Sequence, residues 1–224
     1  MLSVREAAEV LGVSQKTVYR WIKEGRVPSH RLGGQHFLER SEVNNLVIRD
    51  GLGPLPDASR ETDDHQDTSL CDMLTRGGVF YRISGTTKKD VLKNALNMVK
   101  GVDESISSPL FQMFLAREEL ASTGIGDHIA IPHARGSLVG YISHPILSLS
   151  FLETPIDYGA LDGKPVYALF LLISPNVRTH LRVLARLSFC LHAPEFKQAV
   201  LEQASRDTIL STLAQTEARL PKGS

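Results

Sequence analysis

Two histidines stand where an imidazole could do chemistry. His133 closes the run Ile129-Ala130-Ile131-Pro132-His133. The alternating apolar residues predict a strand. Pro132 withholds an N–H and is expected to end ladder pairing, so His133 should leave the strand at its rim. An imidazole on a rim, with a pKa near neutrality, is a candidate nucleophile or acid/base. His180 follows Ser174-Pro175-Asn176. If Ser174 or Asn176 caps a helix, His180 lies in its first turns, where the dipole favours anions and depresses an imidazole pKa. Ahead of His133 runs Ser122-Thr123-Gly124-Ile125-Gly126, whose glycines predict a loop able to bring backbone N–H groups close to an anion. Spacing alone does not bring His133 and His180 together, and a structural role stays open for each.

A second chemistry is suggested near the start of the chain. Gln15, Lys16, Thr17, Tyr19, Arg20 and Lys23 fall on one side of a short helical pattern. They are donors suited to phosphates and base edges, with one aromatic among them. Arg31 sits beside Gly33-Gly34, a two-residue hairpin signal between Val27–Leu32 and His36–Glu39.

The elements that must position these groups can be read from capping and periodicity. Ser3 and Glu6 form a capping box, so a helix should begin at Val4, with Val4, Ala7, Ala8 and Leu11 as its apolar stripe. Gly12 should end it. Ser14 should cap a second helix, with Val18, Trp21 and Ile22 inward and Gly25 as its stop. Two short helices joined by a tight turn match the helix-turn-helix unit. Ser41 should cap a last helix with Val43, Leu46 and Val47 inward. Further along, helices are predicted near 69–75, 87–100, 107–120, 177–191, 194–203 and 206–217. Strands are predicted near 78–84, 128–132, 145–152 and 165–173. Strands interleaved with helices argue an α/β sandwich with a mixed sheet flanked by helices.

Charge divides the 224 residues into three. Residues 1–50 carry eight Lys/Arg against six Asp/Glu, and residues 51–68 carry one against five. The rest carries sixteen against fourteen, so the formal net charge of zero is a sum of unlike parts. That balance argues against a protein coating nucleic acid or an anionic membrane with its whole surface, but leaves room for a local basic face. The segment 51–68 has too little apolar area to offset chain entropy and is predicted to be a flexible acidic linker. Apolar residues make up 42% of the chain, enough for a core. Cys71 and Cys190 fit two free thiols in a reducing cytosol, with no metal-ligand spacing. No leader segment or bilayer-length apolar run is seen, so a cytoplasmic protein without membrane insertion is expected. Arg178, Arg182 and Arg186 repeat at helical spacing, as a solvated basic stripe or a docking surface.

Two resemblances sharpen these readings. The stretch SVREAAEVLGVSQKTVYRWIKEGRVPSHRLGGQHFLERSEV resembles the excisionase/MerR-type winged helix-turn-helix over nearly all of residues 1–50. That family lays its second helix in the major groove with the wing beside it. The resemblance implies groove contacts from Lys16, Thr17, Tyr19, Arg20 and Lys23, with Arg31 and His36 on the wing. A net +2 is weak for such a module, so a homodimer on paired half-sites is expected.

The stretch MFLAREELASTGIGDHIAIPHAR resembles the active-site segment of phosphotransferase-system enzyme IIA domains of the fructose/mannitol type, nearest to the nitrogen-regulatory (PtsN-like) branch. FLETPIDYGALDGKPVYALFLLISP and THLRVLARLSFCL continue it, covering about 69–217. The resemblance implies the type-2 IIA fold, His133 as phosphoryl acceptor, Arg117 neutralising the phosphate, and His180 beside His133. It also implies that Ser122 and Thr123, with the glycines Gly124 and Gly126, line the site. Ala134-Arg135 stands where Gly-Lys is common, and Asp127-His128 precedes the strand. His128 is expected to be a second layer behind the site or simply exposed.

The combined expectation is a regulatory protein phosphorylated on His133 by an HPr- or NPr-type phosphocarrier, with a DNA-binding head and regulatory protein targets. It needs no metal or other cofactor. Two alternatives stand beside it: a sugar-transport IIA component passing phosphate to a IIB protein or permease, and a DNA-binding regulator with a silent IIA domain.

Overall fold

A computed structural model describes residues 1–11, 13–32, 34–39, 42–43, 69–102, 104–134, 142 and 144–220. The expected linker 51–68, and with it Gly12, Gly33, Ser41, Leu46 and Val47, lies outside the described residues.

The head contains β1 (Leu2–Ser3), α1 (Val4–Leu11), α2 (Gln15–Lys23), β2 (His30–Leu32) and β3 (Gln35–Leu38). The capping box is present: the Glu6 carboxylate accepts from the Ser3 N–H at 2.7 Å, and Ser3 Oγ accepts from the Glu6 N–H at 3.3 Å. Ser14 caps α2 by accepting from the Thr17 N–H at 3.2 Å. Gly25 stops α2 at φ +68°, a conformation that favours glycine, while the Arg26 N–H reaches back to the Trp21 carbonyl at 2.9 Å. Val4, Ala7, Ala8, Leu11, Val18, Trp21, Val27, Leu38 and Val43 form one core.

The hairpin is shorter than its sequence suggests, and it is not a simple ribbon. Leu32 opposes Gln35, and β3 also pairs with β1 at Leu2–Leu38 and Ser3–Phe37. The sheet order is therefore β1-β3-β2, tying the wing to the residues that precede the first helix.

The body contains α3 (Leu70–Gly77), β4 (Val79–Ile83), α4 (Lys88–Met98), α5 (Glu104–Leu120), β5 (Gly124–Gly126), β6 (Ile129–Ala130), β7 (Ile146–Ile156), β8 (Val166–Ile173), α6 (Val177–His192), α7 (Pro194–Leu201) and α8 (Arg206–Glu217). Five strands form one mixed sheet in the order β4-β7-β8-β6-β5. The pairs β4–β7 and β6–β8 are parallel; β7–β8 and β5–β6 are antiparallel. Helices cover both faces, which is why β8 reads as an unbroken apolar run. Leu169, Leu171 and Ile173 pack on the side of α4 and α5. Ala168, Phe170 and Leu172 pack on the side of α3, α6, α7 and α8. The architecture is the expected α/β sandwich with a mixed sheet.

Three local readings are corrected. The strand near 128–132 is a hairpin, because Gly124–Gly126 is not a loop but the edge strand paired with β6. A Cβ on Gly124 would lie 2.8 Å from the Ala160 Cα, so close approach of a neighbouring backbone requires glycine there. Pro132 does not end the pairing with β8: its carbonyl accepts from the Leu172 N–H at 2.9 Å, and His133 bridges to Leu172. In this register the proline contributes an acceptor, so its missing N–H costs nothing. Arg186 is not part of a solvated stripe. It pairs with Glu217 at 2.7 Å, and Glu217 in turn accepts from the Leu70 N–H at the start of α3. Arg178 and Arg182 are exposed.

Candidate functional site

The site is assembled from the ends of three elements. Arg117 comes from the last turn of α5, His133 from the segment that leaves β6 beside β8, and His180 from the first turn of α6. The chain brings all three together. Arg117 Nε donates to His133 Nε2 at 2.9 Å, and the His133 and His180 ring centroids lie 4.8 Å apart.

The partners of His133 fix its tautomer. A guanidinium can only donate, so Nε2 must accept. The other nitrogen, Nδ1, lies 2.8 Å from the Ile131 carbonyl, which can only accept, so Nδ1 carries the proton. The lone pair is therefore on Nε2 of a half-buried ring that faces Arg117. Arg117 is itself oriented by donating from NH1 to the Ala121 carbonyl at 2.7 Å.

Asn176 caps α6 by accepting from the Thr179 N–H at 2.8 Å, and the His180 N–H donates to the Asn176 carbonyl. Burial is the main reason that His180 is held well below an ordinary imidazole, at about 4; the His133 ring, whenever it is protonated, and the Arg117 guanidinium act in the same direction. At neutral pH His180 is thus an uncharged imidazole beside His133.

The residues expected to line a phosphate loop have other occupations. Ser122 Oγ donates to the Tyr158 carbonyl at 2.7 Å and accepts from the Gly124 N–H at 3.1 Å. Thr123 is buried and bound to Glu118 through both its N–H and its hydroxyl. Gly126, at φ +99°, sits against Asp162. The Thr123 and Gly124 N–H groups thus already have side-chain acceptors in Glu118 and Ser122. His128 is half-buried, stacked on Tyr167 at 5.1 Å, with Nδ1 at 2.7 Å from the Pro165 carbonyl. Sequence reasoning missed Glu118 and Lys88 altogether; Glu118 is tied to Thr123 five residues on and to Lys88 thirty residues back, and no local spacing marks either residue.

In the head, Lys16, Tyr19, Arg20 and Lys23 are exposed on α2, and Arg31 is exposed on β2. Tyr19 meets the edge of the His36 ring at 6.1 Å, so helix and wing converge. Thr17 lies inside the cap, with its hydroxyl 2.9 Å from Ser14 Oγ, and is a backbone-fixing group before it is a contact. Arg20 lies 3.9 Å from Glu24. Among the described residues, no helix is long and apolar enough to cross a membrane.

Two family models match separate stretches of the chain. The family model "Phosphoenolpyruvate-dependent sugar phosphotransferase system, EIIA 2" matches residues 72–216, and a helix-turn-helix domain model matches residues 1–47. A nitrogen regulatory protein of Pseudomonas aeruginosa is 40% identical over 122 residues, 53% of this chain and 77% of the relative. A fructose-specific EIIABC component of Bacillus subtilis is 29% identical over 149 residues, 65% of this chain but 23% of that longer protein. Among solved structures, the nitrogen regulatory protein IIA-Ntr of Neisseria meningitidis superposes with a TM-score of 0.56 at 25% identity, covering 64% of this chain and 98% of its own.

Proposed function

The chain belongs to the EIIA 2 family of the phosphoenolpyruvate-dependent sugar phosphotransferase system, with nitrogen-regulatory relatives and a helix-turn-helix domain ahead of the family segment, and from that membership we propose that it is a regulatory phosphoryl acceptor whose state is read by the head. The observation that carries this reading is the fixed tautomer of His133, with Nδ1–H held by Ile131 and the Nε2 lone pair facing Arg117.

The chemistry follows from that pair. A phosphorylated HPr- or NPr-type carrier presents phosphohistidine. His133 Nε2 forms the new N–P bond as the N–P bond to the carrier breaks in line, and the carrier nitrogen keeps the released electron pair. Arg117 leaves Nε2 as the phosphoryl group arrives and pairs with its equatorial oxygens. The Nδ1–H bond to Ile131 stabilises the positive charge that develops on the ring. His180, neutral and adjacent, offers a further hydrogen bond without repelling the cationic guanidinium.

The added charge of about −1.5 to −2 sits on a chain of zero formal net charge. It would alter docking of regulatory partners and, through the head, association with DNA. Lys16, Tyr19, Arg20, Lys23 and Arg31 are the proposed groove and wing contacts, on a dimer with paired half-sites. A soluble cytoplasmic location fits a partner of this kind.

The test is phosphorylation by a labelled carrier. The unaltered chain should take label and His133→Ala none; label on His133→Ala would sink the acceptor assignment. DNA association of the two forms, at stated salt, then tests coupling between body and head.

A second reading is favoured by the fructose-specific relatives of Bacillus subtilis and Haloferax volcanii, the latter 35% identical over 103 residues. In that reading the phosphoryl group passes on to a IIB protein and a sugar. Sugar phosphate in a reconstituted assay would favour it over regulation. The silent-domain alternative is disfavoured by the assembled Arg117, His133 and His180.

A further inference from the structure

We infer that Glu118 is the positioning residue that holds Arg117 and His133 in register for phosphoryl transfer, acting through Thr123; the inference rests on the acceptor reading above. Glu118 directly follows Arg117 in the last turn of α5, yet it is 7% exposed. A buried carboxylate is costly unless it is paired and hydrogen-bonded. This one is fully engaged: it accepts from Lys88 Nζ at 3.2 Å, from the Thr123 N–H at 3.1 Å and from Thr123 Oγ1 at 2.5 Å. Lys88 is held in turn over the face of the fully buried Tyr158, 5.0 Å from the ring centroid.

Two branches lead from this closure to the reacting pair. Along the first, the Thr123 carbonyl accepts from the Ile131 N–H at 3.0 Å, and the Ile131 carbonyl is the group that holds His133 Nδ1 at 2.8 Å. Along the second, the turn closed between Glu118 and Thr123 contains Ala121, whose carbonyl holds Arg117 NH1 at 2.7 Å. The contact that fixes the histidine tautomer and the contact that aims the guanidinium thus depend on one buried clamp. The clamp has little slack beyond Thr123, because Gly124 is already packed against Ala160. Glu118 itself touches neither the carrier nor the phosphoryl group.

The test compares Glu118→Gln, Thr123→Val and Thr123→Ser in the full chain. Single-turnover phosphoryl transfer is followed against concentration of a phosphorylated HPr-type carrier. Nitrogen NMR of the imidazole rings reads the His133 tautomer without any carrier, and thermal melting reads stability. Glu118→Gln and Thr123→Val should each lower the maximal transfer rate about 10- to 100-fold, as misplacement of a reacting group does. The half-saturating carrier concentration should stay within about twofold, since a buried carboxylate cannot meet the carrier. In both variants the single Nδ1–H tautomer should give way to a mixture. Thr123→Ser, which keeps the hydroxyl, should retain the rate within about twofold and keep the tautomer.

Wild-type rates and a single tautomer in Glu118→Gln and Thr123→Val would overturn the inference. So would a loss in all three variants that merely tracks melting temperature. If Glu118→Gln does not fold, the Thr123 pair decides. If the unaltered chain takes no phosphoryl group, the acceptor reading fails, while the tautomer measurement still decides the positioning role.

Discussion

The two candidate functional surfaces of this chain hold their polar groups under opposite conditions. At the body's site the groups of the proposed transfer are held by named partners: Ile131 holds Nδ1 of His133, Arg117 faces its Nε2, and Ala121 orients Arg117. On the head, Lys16, Tyr19, Arg20 and Lys23 stand in solvent, and the contact between Arg20 and Glu24 joins side chains 64% and 54% exposed. The first arrangement is largely set before any ligand arrives: for the proposed transfer only the Arg117 guanidinium has to turn from Nε2 to the phosphoryl oxygens. The second would settle only on a ligand, and on DNA, as proposed, its strength would come from many weak charges and the counterions they release. One atom should therefore matter greatly in the body, whereas the head should respond to the sum of its charges.

Apart from loss of the acceptor His133 itself, the largest expected effect is at Arg117. Arg117→Ala should lower the rate of phosphoryl transfer about 10²- to 10³-fold, the cost of removing one preorganised charge donor. Arg117→Lys should not restore it. A lysine ammonium lacks the planar fork that reaches His133 through Nε and Ala121 through NH1 together. A rate for Arg117→Ala within tenfold of the unaltered chain, measured by label transfer, would break the contrast drawn here.

His180 gives the next effect, and it appears in stability. Its folded pKa, about 4, lies below the ordinary 6.5, because burial and the neighbouring cation disfavour the charged ring. Between those two values the unfolded chain binds more protons than the folded one, so stability falls as pH drops from about 6.5 to about 4 and changes little from this source below that. For a ring that is only half-buried, the loss after solvent screening is about 1–2 kcal/mol. His180→Asn should flatten this part of the profile in urea unfolding at stepped pH. An unchanged slope in His180→Asn would assign the acid sensitivity to other groups.

The sequence alone carried most of the helices, because their signals are local. Ser3 with Glu6, Ser14 and Asn176 announce helix starts within four residues of the groups they cap. What it could not carry depends on segments far apart in the chain. The two-residue strand β1 exists because β3 returns to pair with it. Gly124 signals a turn by composition, but its neighbour Ala160 makes it an edge strand. Arg186 fits a surface stripe at helical spacing until Glu217, from α8, buries it. At the site, His133 was marked by its own flanking residues, but its meeting with His180 is a property of β8 and α6 together. Glu118 carries no local mark distinguishing it from Glu119; only Lys88 and Thr123 show which carboxylate is inside.

The smallest expected effects are those on the head, and they sharpen the comparison most directly. Lys16→Ala and Arg20→Ala should each weaken association with DNA about 5- to 10-fold at low salt, roughly 1 kcal/mol apiece. Each lost phosphate contact should also reduce the slope of log affinity against log salt by about 0.9. Both side chains are exposed, and as like-charged i, i+4 neighbours they interact by only a few tenths of a kcal/mol, so their effects should add in free energy to within about that margin when combined. The body should behave otherwise: after His133→Ala, further loss of Arg117 has nothing left to remove, since residues acting as one unit are not additive. Fluorescence titration of the single and double head variants across a salt series checks the first half of this contrast. If one head substitution alone abolished binding at low salt, the head too would be a preorganised site, and the distinction between the two surfaces would fail.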